Sequence, residues 1–442
     1  MKALTTVLAA LWFALSSLHL ARARGDRAMV LWLPKVLAGS LSPYLALASA
    51  LTGVVGWRAK APLAGLLAGL ATFLYSRYVW RIAQSPNDFA KAFGPDWRQR
   101  ISSEQTARML PSRLAVPLTG LDRLSLGRRE QPRVERDLPF WTIPGTTRQL
   151  LCDVWQSPSG VRPSGLAFVY FHGSAWHLLD KDYGTRPFFG HLAAQGHVVM
   201  DVAYRLCPET DLFGMVGDVK RAVAWMKRHS EHYGVRPERI VLGGGSAGGH
   251  LALLAAYAPQ ERRFVPDDLS GDDTSVRAVV AYYGPCDLRA TREHLLRRQP
   301  QPVRRKDVRA ELPPGPAAKA NPAPIRSFEQ IGAAMAGLSV DDMMGNLVGG
   351  SPTEVPEMYD LASPLTHVGP HCPPTLLFQG EHDSLVPVES DRLLYRKLQE
   401  AGVPVVYVEL PDTEHAFDVF LPMGAPATRA TSYDLERFLA LV

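Results

Sequence analysis

The 442-residue chain carries 48 Lys and Arg against 43 Asp and Glu, a formal net charge of +5 at pH 7. That length exceeds one ordinary globular unit and predicts a domain of about 300 residues plus a further segment. The excess charge sits in residues 1–80, where eight Lys or Arg face the single acid Asp26 across long apolar runs, a pattern that excludes a nucleic-acid-binding stripe.

Three apolar runs open the chain: Leu4 to Leu20, Val36 to Gly56 and Pro62 to Trp80. Each is long enough, at about 1.5 Å per residue, to cross about 30 Å of hydrocarbon. Cationic turns at 21–28 and 57–61 separate them. Residues 1–81 are therefore expected to form a transmembrane helical anchor of two or three spans in contact with the lipid bilayer. The first run also fits a signal peptide, with Ala21-Arg22-Ala23 as its cleavage site. If all three runs span, the surplus of Lys and Arg at 21–28 and after Arg77 puts the remainder of a multi-pass membrane protein on the cytoplasmic face.

Residues 82–135 turn polar and Arg-rich without periodicity, which reads as a connector or a cap segment. Beyond them, short apolar runs alternate with helical patterns. The expected strands are Leu166–Phe171, Val198–Tyr204, Ile240–Leu242, Ala278–Tyr283, Thr375–Phe378 and Val405–Leu410. Helices are expected at 187–195, 218–230, 247–257 and 389–401, with Val219, Ala222, Val223 and Met226 forming one buried stripe. This alternation predicts an α/β fold over residues 136–442, a mostly parallel, doubly wound sheet covered by helices on both faces.

An insertion at about 290–360 interrupts the pattern. Residues 296–326 hold seven prolines, a composition suited to an exposed loop, and Ile331–Val348 follow with Met335, Met343 and Met344. The segment is either a lid whose methionines adapt to an apolar group or an inserted helix packed in the ordinary way.

Within this frame, Gly244-Gly245-Ser246-Ala247-Gly248 stands between a strand and a helix. Such an elbow projects a serine hydroxyl above the sheet as a nucleophile; the alternative is a plain helix N-cap. A serine needs a base, and His415, in a loop after Val405–Leu410, can reach over the end of the sheet. The imidazole in turn needs a carboxylate to fix its tautomer. Asp383, just past the strand Thr375–Phe378, is the candidate, with Glu381, Asp412 and Asp418 as rivals. Backbone N–H groups must receive the oxyanion, and Gly173, Ser174 and Ala247 are the candidates. No H-E-x-x-H occurs, and Cys152, Cys207, Cys286 and Cys372 lack metal or disulfide spacing, so neither a metal nor another cofactor is implied.

Phe171-His172-Gly173-Ser174-Ala175-Trp176, Asp201 to Glu209, Gly244 to Gly249, Gly380 to Pro387 and Glu414 to Phe417 together resemble the hormone-sensitive-lipase-like branch of the α/β-hydrolase superfamily. The resemblance covers about 160–420. It implies the α/β-hydrolase fold and a carboxylic ester hydrolase, with Ser246, Asp383 and His415 catalytic and Gly173, Ser174 and Ala247 forming the oxyanion hole. The sequence departs from the branch where Ser174 and Ala175 replace two glycines and where Gly245 precedes the nucleophile. The layout of membrane helices joined to such a domain is also similar to the isoprenylcysteine methylesterases, whose Gln before the nucleophile is absent here.

The expected protein is a membrane-anchored esterase of apolar, small-molecule esters that needs no cofactor and no nucleic acid. An acyltransferase using the same triad, and a non-catalytic ligand-binding protein on the same fold, are the alternatives.

Overall fold

The computed structural model describes residues 1–22, 27–116, 131–173, 175–297, 338–420 and 424–442, with residues 27–29 described by their backbone alone. Eight strands form one sheet: β1 (Arg133–Thr142), β2 (Gln149–Gln156), β3 (Ala167–Phe171), β4 (Val198–Val202), β5 (Ile240–Gly245), β6 (Ala278–Tyr282), β7 (Thr375–Gly380) and β8 (Val405–Leu410). Their spatial order is β1-β2-β4-β3-β5-β6-β7-β8, with the β1–β2 and β2–β4 pairs antiparallel and the other five pairs parallel.

The six parallel strands are those expected from their apolar runs, because a strand covered on both faces needs apolar side chains at every position. In β3, Val169 and Phe171 join one core cluster while Phe168 and Tyr170 join the other. The β1–β2 hairpin was not expected. Only Phe140 of β1 is buried, and the register shifts where Asp137 adopts φ 54°, so neither alternation nor apolar length marks this edge strand.

Helices numbered in chain order surround the sheet. Three long ones precede it: α1 (Lys2–Ser17), α2 (Arg27–Arg58) and α3 (Pro62–Ala83). Those on the sheet are α4 (Arg186–Ala193), α5 (Leu212–Arg228), α6 (Ala247–Tyr257), α7 (Leu288–Leu296), α8 (Val340–Val348), α9 (Pro356–Leu361), α10 (Val388–Glu400) and α11 (Pro426–Leu441). Residues of α5, α6 and α10 fill one cluster, and those of α4 and α11 fill the other. Met343 and Met344 of α8 are buried in the first cluster, whereas Met335 and the proline-rich residues 298–337 lie outside the described residues.

α11 escaped the sequence reading because charged residues interrupt its apolar face. The structure buries them with partners: Asp434 pairs with Arg113 at 3.1 Å, and Glu436 accepts the Leu110 N–H at 2.7 Å. The segment around 110–113 is thereby fastened to the C-terminal helix.

The first three helices pack on one another. Ala64, Ala68 and Ala71 of α3 are fully buried, and a Cβ at Gly56 would stand 3.0 Å from that of Ala64, so small residues let α2 and α3 approach closely. The Trp12 indole N–H donates to Thr52 Oγ1 at 3.2 Å and ties α1 to α2. Lys2–Leu20 and Val30–Arg58 are long and apolar enough to cross a membrane, or, near the N-terminus, to act as a signal sequence. The C-terminal end of α3 enters the second core cluster through Tyr78 and Ile82.

Asp391, in the first turn of α10, accepts the Cys286 S–H at 3.1 Å, and burial pushes its carboxyl up to about 8. The folded chain thus holds a proton that the unfolded chain releases above about pH 4. This contribution to stability is complete at lower pH and is lost as pH rises toward that folded value. Relative to Asp391→Asn, the wild type should lose about 1.4 kcal/mol per pH unit between about pH 5 and 7. Denaturant midpoints across that range check this; parallel curves for the two proteins would contradict it.

Candidate active site

Ser246 closes β5 and opens α6 with φ 50° and ψ −119°, a conformation that L-residues rarely adopt. Two glycines make the bend passable. A Cβ at Gly244 would lie 2.4 Å from the carbonyl carbon of Gly248, and one at Gly248 would lie 2.0 Å from the carbonyl oxygen of Phe171. The Ser246 N–H donates to the Tyr282 carbonyl at 2.9 Å, which anchors the elbow to the end of β6. Its hydroxyl caps nothing in α6. The helix N-cap alternative is therefore not what the side chain does.

The loops after β7 and β8 prolong the pairing of those strands: the Glu381 N–H donates to Leu410 O and the His382 N–H to Thr413 O, each at 2.9 Å. This brings Asp383 and His415 together over the end of the sheet. His415 Nδ1–H donates to Asp383 Oδ2 at 2.8 Å, and the Ser246 hydroxyl donates to His415 Nε2 at 3.0 Å. Both His415 and Asp383 are buried, and Ser246 is half-buried. The Asp383 carboxylate also accepts the Leu385 and Val386 N–H groups at 2.8 Å and the Gln379 amide at 3.0 Å, so its plane is held from several sides. In this arrangement a hydroxyl can lose its proton to an imidazole while attacking a carbonyl.

The rival carboxylates have other partners. Glu381 pairs with Arg22 at 2.5 Å, Asp412 with Arg77 and Arg81, and Asp418 accepts the Tyr283 hydroxyl. Glu381, His382 and Asp412 offer three potential ligand atoms within 4.8 Å of one another, but arginines already neutralise both carboxylates.

Of the three expected oxyanion donors, Ala247 is the first residue of α6 and is buried. Gly173 stands against the serine elbow: a Cβ there would lie 2.9 Å from Gly245 O and 3.1 Å from Ser246 Cβ. Ser174 lies outside the described residues. After it, Ala175 (φ 49°) and Trp176 (φ 64°) turn the chain sharply, and the Trp176 indole N–H donates to His250 Nδ1 at 3.1 Å. His250 Nε2–H donates in turn to Ala362 O at 2.7 Å, and burial lowers its pKa to about 4, which keeps the ring neutral with one donor and one acceptor. The Tyr204 hydroxyl donates to His172 O at 2.9 Å and holds the other side of the same turn.

Several residues of the site carried no sequence signal. Tyr283 (φ 42°) stands with its ring centroid 4.4 Å from that of His415, and Gln379 supports Asp383 from inside β7. Trp32 and Lys35 of α2 reach His415 and Glu414 from more than 370 residues away. Periodicity and local spacing hold no information about such partners.

A sheet of this order, with a serine on its central strand-to-helix elbow and an acid and a histidine on the loops after its last two strands, defines an α/β-hydrolase. The chain belongs to the BD-FAE family, whose model matches residues 153–310 and 319–398. It is 33% identical over 293 residues to LipM, a probable carboxylic ester hydrolase of Mycobacterium tuberculosis, a match covering 66% of this chain and 58% of LipM. Esterase LipQ of the same organism is 28% identical over 331 residues, covering 74% of this chain and 68% of LipQ. The chain thus spans little more than half the length of LipM. Among solved structures, the thermophilic esterase Est2 of Thermogutta terrifontis is similar, with 21% identity, a TM-score of 0.48, and coverage of 69% of this chain and 89% of Est2.

The contacts at Gly248 are with backbone that cannot yield, so Gly248→Ala should prevent the elbow from forming and sharply lower the yield of folded protein. Gly345→Ala, where an added Cβ meets nothing within 4 Å, should fold normally and gain up to about 1 kcal/mol from helix propensity. Thermal melts of the two variants check the contrast. A well-folded Gly248→Ala protein would contradict the elbow's packing.

Proposed function

We propose that this chain is a membrane-anchored serine carboxylic ester hydrolase in which Ser246 is the nucleophile, His415 the general base and Asp383 the residue that orients it. The observation that carries the reading is a single imidazole hydrogen-bonded to Ser246 Oγ at 3.0 Å and to Asp383 Oδ2 at 2.8 Å. Ser246 Oγ attacks the ester carbonyl as its proton passes to His415 Nε2. The resulting oxyanion is received by the N–H groups of Ala247, Gly173 and Ser174, and loss of one such donor costs about 10² to 10³ in rate. His415 then protonates the departing alcohol, leaving an acyl group on Ser246. Water, activated by the same imidazole, releases the acid and restores the serine. These steps need no cofactor.

Similarity to LipM, a probable carboxylic ester hydrolase, and to esterase LipQ supports ester hydrolysis. An apolar ester suits the setting, because the Tyr283 ring stands against His415 and exposed apolar residues such as Leu4, Leu51, Leu66 and Phe73 cover the N-terminal helices. On this reading residues 1–81 are the anchor, 82–135 the connector and 136–442 the catalytic domain. The helix ends nearest that domain carry Arg22, Lys35, Arg77 and Arg81, against Lys2, Arg58 and Lys60 at the far ends, which supports a cytoplasmic catalytic domain.

With p-nitrophenyl esters of increasing chain length and the full chain in detergent, Ser246→Ala should lower kcat/KM by at least about 10⁴, and Asp383→Asn by about 10³ to 10⁴. Longer acyl chains should be preferred. A Ser246→Ala protein that retains wild-type hydrolysis would overturn the assignment.

A further inference from the structure

Glu414 immediately precedes His415, and one carboxylate there joins three parts of the chain. Its Oε1 accepts from Lys35 Nζ of α2 at 2.8 Å, and its Oε2 accepts the N–H of Ser384, the neighbour of Asp383, at 3.0 Å. The pair is closed off from water, with side-chain exposures of 1% for Lys35 and 2% for Glu414. Lys35 also donates to the Ala21 carbonyl at 2.8 Å. One turn earlier on the same helix face, the Trp32 indole N–H donates to the carbonyl oxygen of His415 at 3.0 Å.

The neighbouring residues of this loop are held in the same way. Tyr78 of α3 shares a hydrogen bond with Thr413 Oγ1 at 3.2 Å, and Arg77 and Arg81 pair with Asp412. Four consecutive residues, Asp412 to His415, are therefore each bonded to an N-terminal helix. The fold supplies a reason. β8 is an edge strand, so the loop that follows it has a neighbouring strand on one side only. The other side must be supported from elsewhere.

The lengths agree with such a role. α2 has 32 residues, about 48 Å at 1.5 Å per residue, whereas about 20 residues suffice to cross a bilayer. Its N-terminal third, which carries Trp32 and Lys35, is surplus to a span. A buried ion pair also adds little net stability compared with apolar residues of the same size, but it fixes geometry through directed hydrogen bonds.

We propose that the N-terminal helices are a strut for the catalytic base, with Lys35 and Trp32 as positioning residues that act through Glu414 and the His415 backbone. The inference rests on the reading of His415 as the general base. It makes catalysis depend on the seating of the anchor, so that the hydrolase domain works fully only with its helices docked.

The test compares kcat per active site, with sites titrated by a fluorophosphonate, in the full chain in detergent. Lys35→Met leaves Glu414 without its cation and can fail to fold. Lys35→Met/Glu414→Gln removes both charges and keeps an acceptor for the Ser384 N–H, and Trp32→Phe removes the N–H to His415 together with part of the ring. The double variant should lose about tenfold in kcat per titrated site and Trp32→Phe about threefold, with KM within twofold of wild type. A merely structural role would lower yield and melting temperature and leave kcat per titrated site unchanged. That result, for both variants, would overturn the proposal. Failure of the underlying reading looks different: wild type and Ser246→Ala would then be labelled alike.

Discussion

The backbone at Ser246 is the constraint on which the rest of the site depends. A non-glycine residue at φ 50° and ψ −119° costs of order 1–3 kcal/mol, and it persists only where the surroundings leave the chain no alternative. Here those surroundings are the fully buried β5, the close contacts of Gly244 and Gly248 with neighbouring backbone, and the hydrogen bond from the Ser246 amide to the end of β6. Because the elbow is rigid, the hydroxyl has a defined position. The loops from β7 and β8 can then meet it with an imidazole and a carboxylate contributed by separate parts of the chain.

The parallel sheet was legible in the sequence because strands covered on both faces are written as continuous apolar runs. The same physics hid β1. At the edge of the sheet Arg133, Arg136 and Asp137 are exposed, and the bulge at Asp137 breaks any alternation. α11 was hidden for the opposite reason, since its Asp434, Glu436 and Arg437 are buried against the segment around 110–113 and disrupt the apolar stripe. Ser246, Asp383 and His415 could be selected because each stands in a short motif beside a recognisable strand. The structure brings these three into hydrogen-bonding register, while Tyr283, Gln379, Trp32 and Lys35 reach the site through contacts that only the folded chain defines.

The N-terminal helices have two chemically distinct ends. Away from the sheet they expose Leu, Val, Phe and Trp side chains, including Trp57, a residue suited to a membrane interface. Toward the sheet they present Arg22, Trp32, Lys35, Tyr78 and Arg81 to the loops that carry His415 and Asp383. Apolar surface and directed polar contacts thus follow one another along the same three helices. This division is what connects the apolar N-terminus to the chemistry above the sheet.

Ester hydrolysis as proposed requires the Ser246 hydroxyl, activated by His415, to form a covalent bond with its substrate. Peptide mapping by tandem mass spectrometry after treatment with an organophosphonate tests it most directly. A single stoichiometric adduct is expected on the peptide containing Ser246, formed far more slowly in His415→Ala. Stoichiometric modification of another residue that abolishes ester hydrolysis, with Ser246 left unmodified, would contradict it.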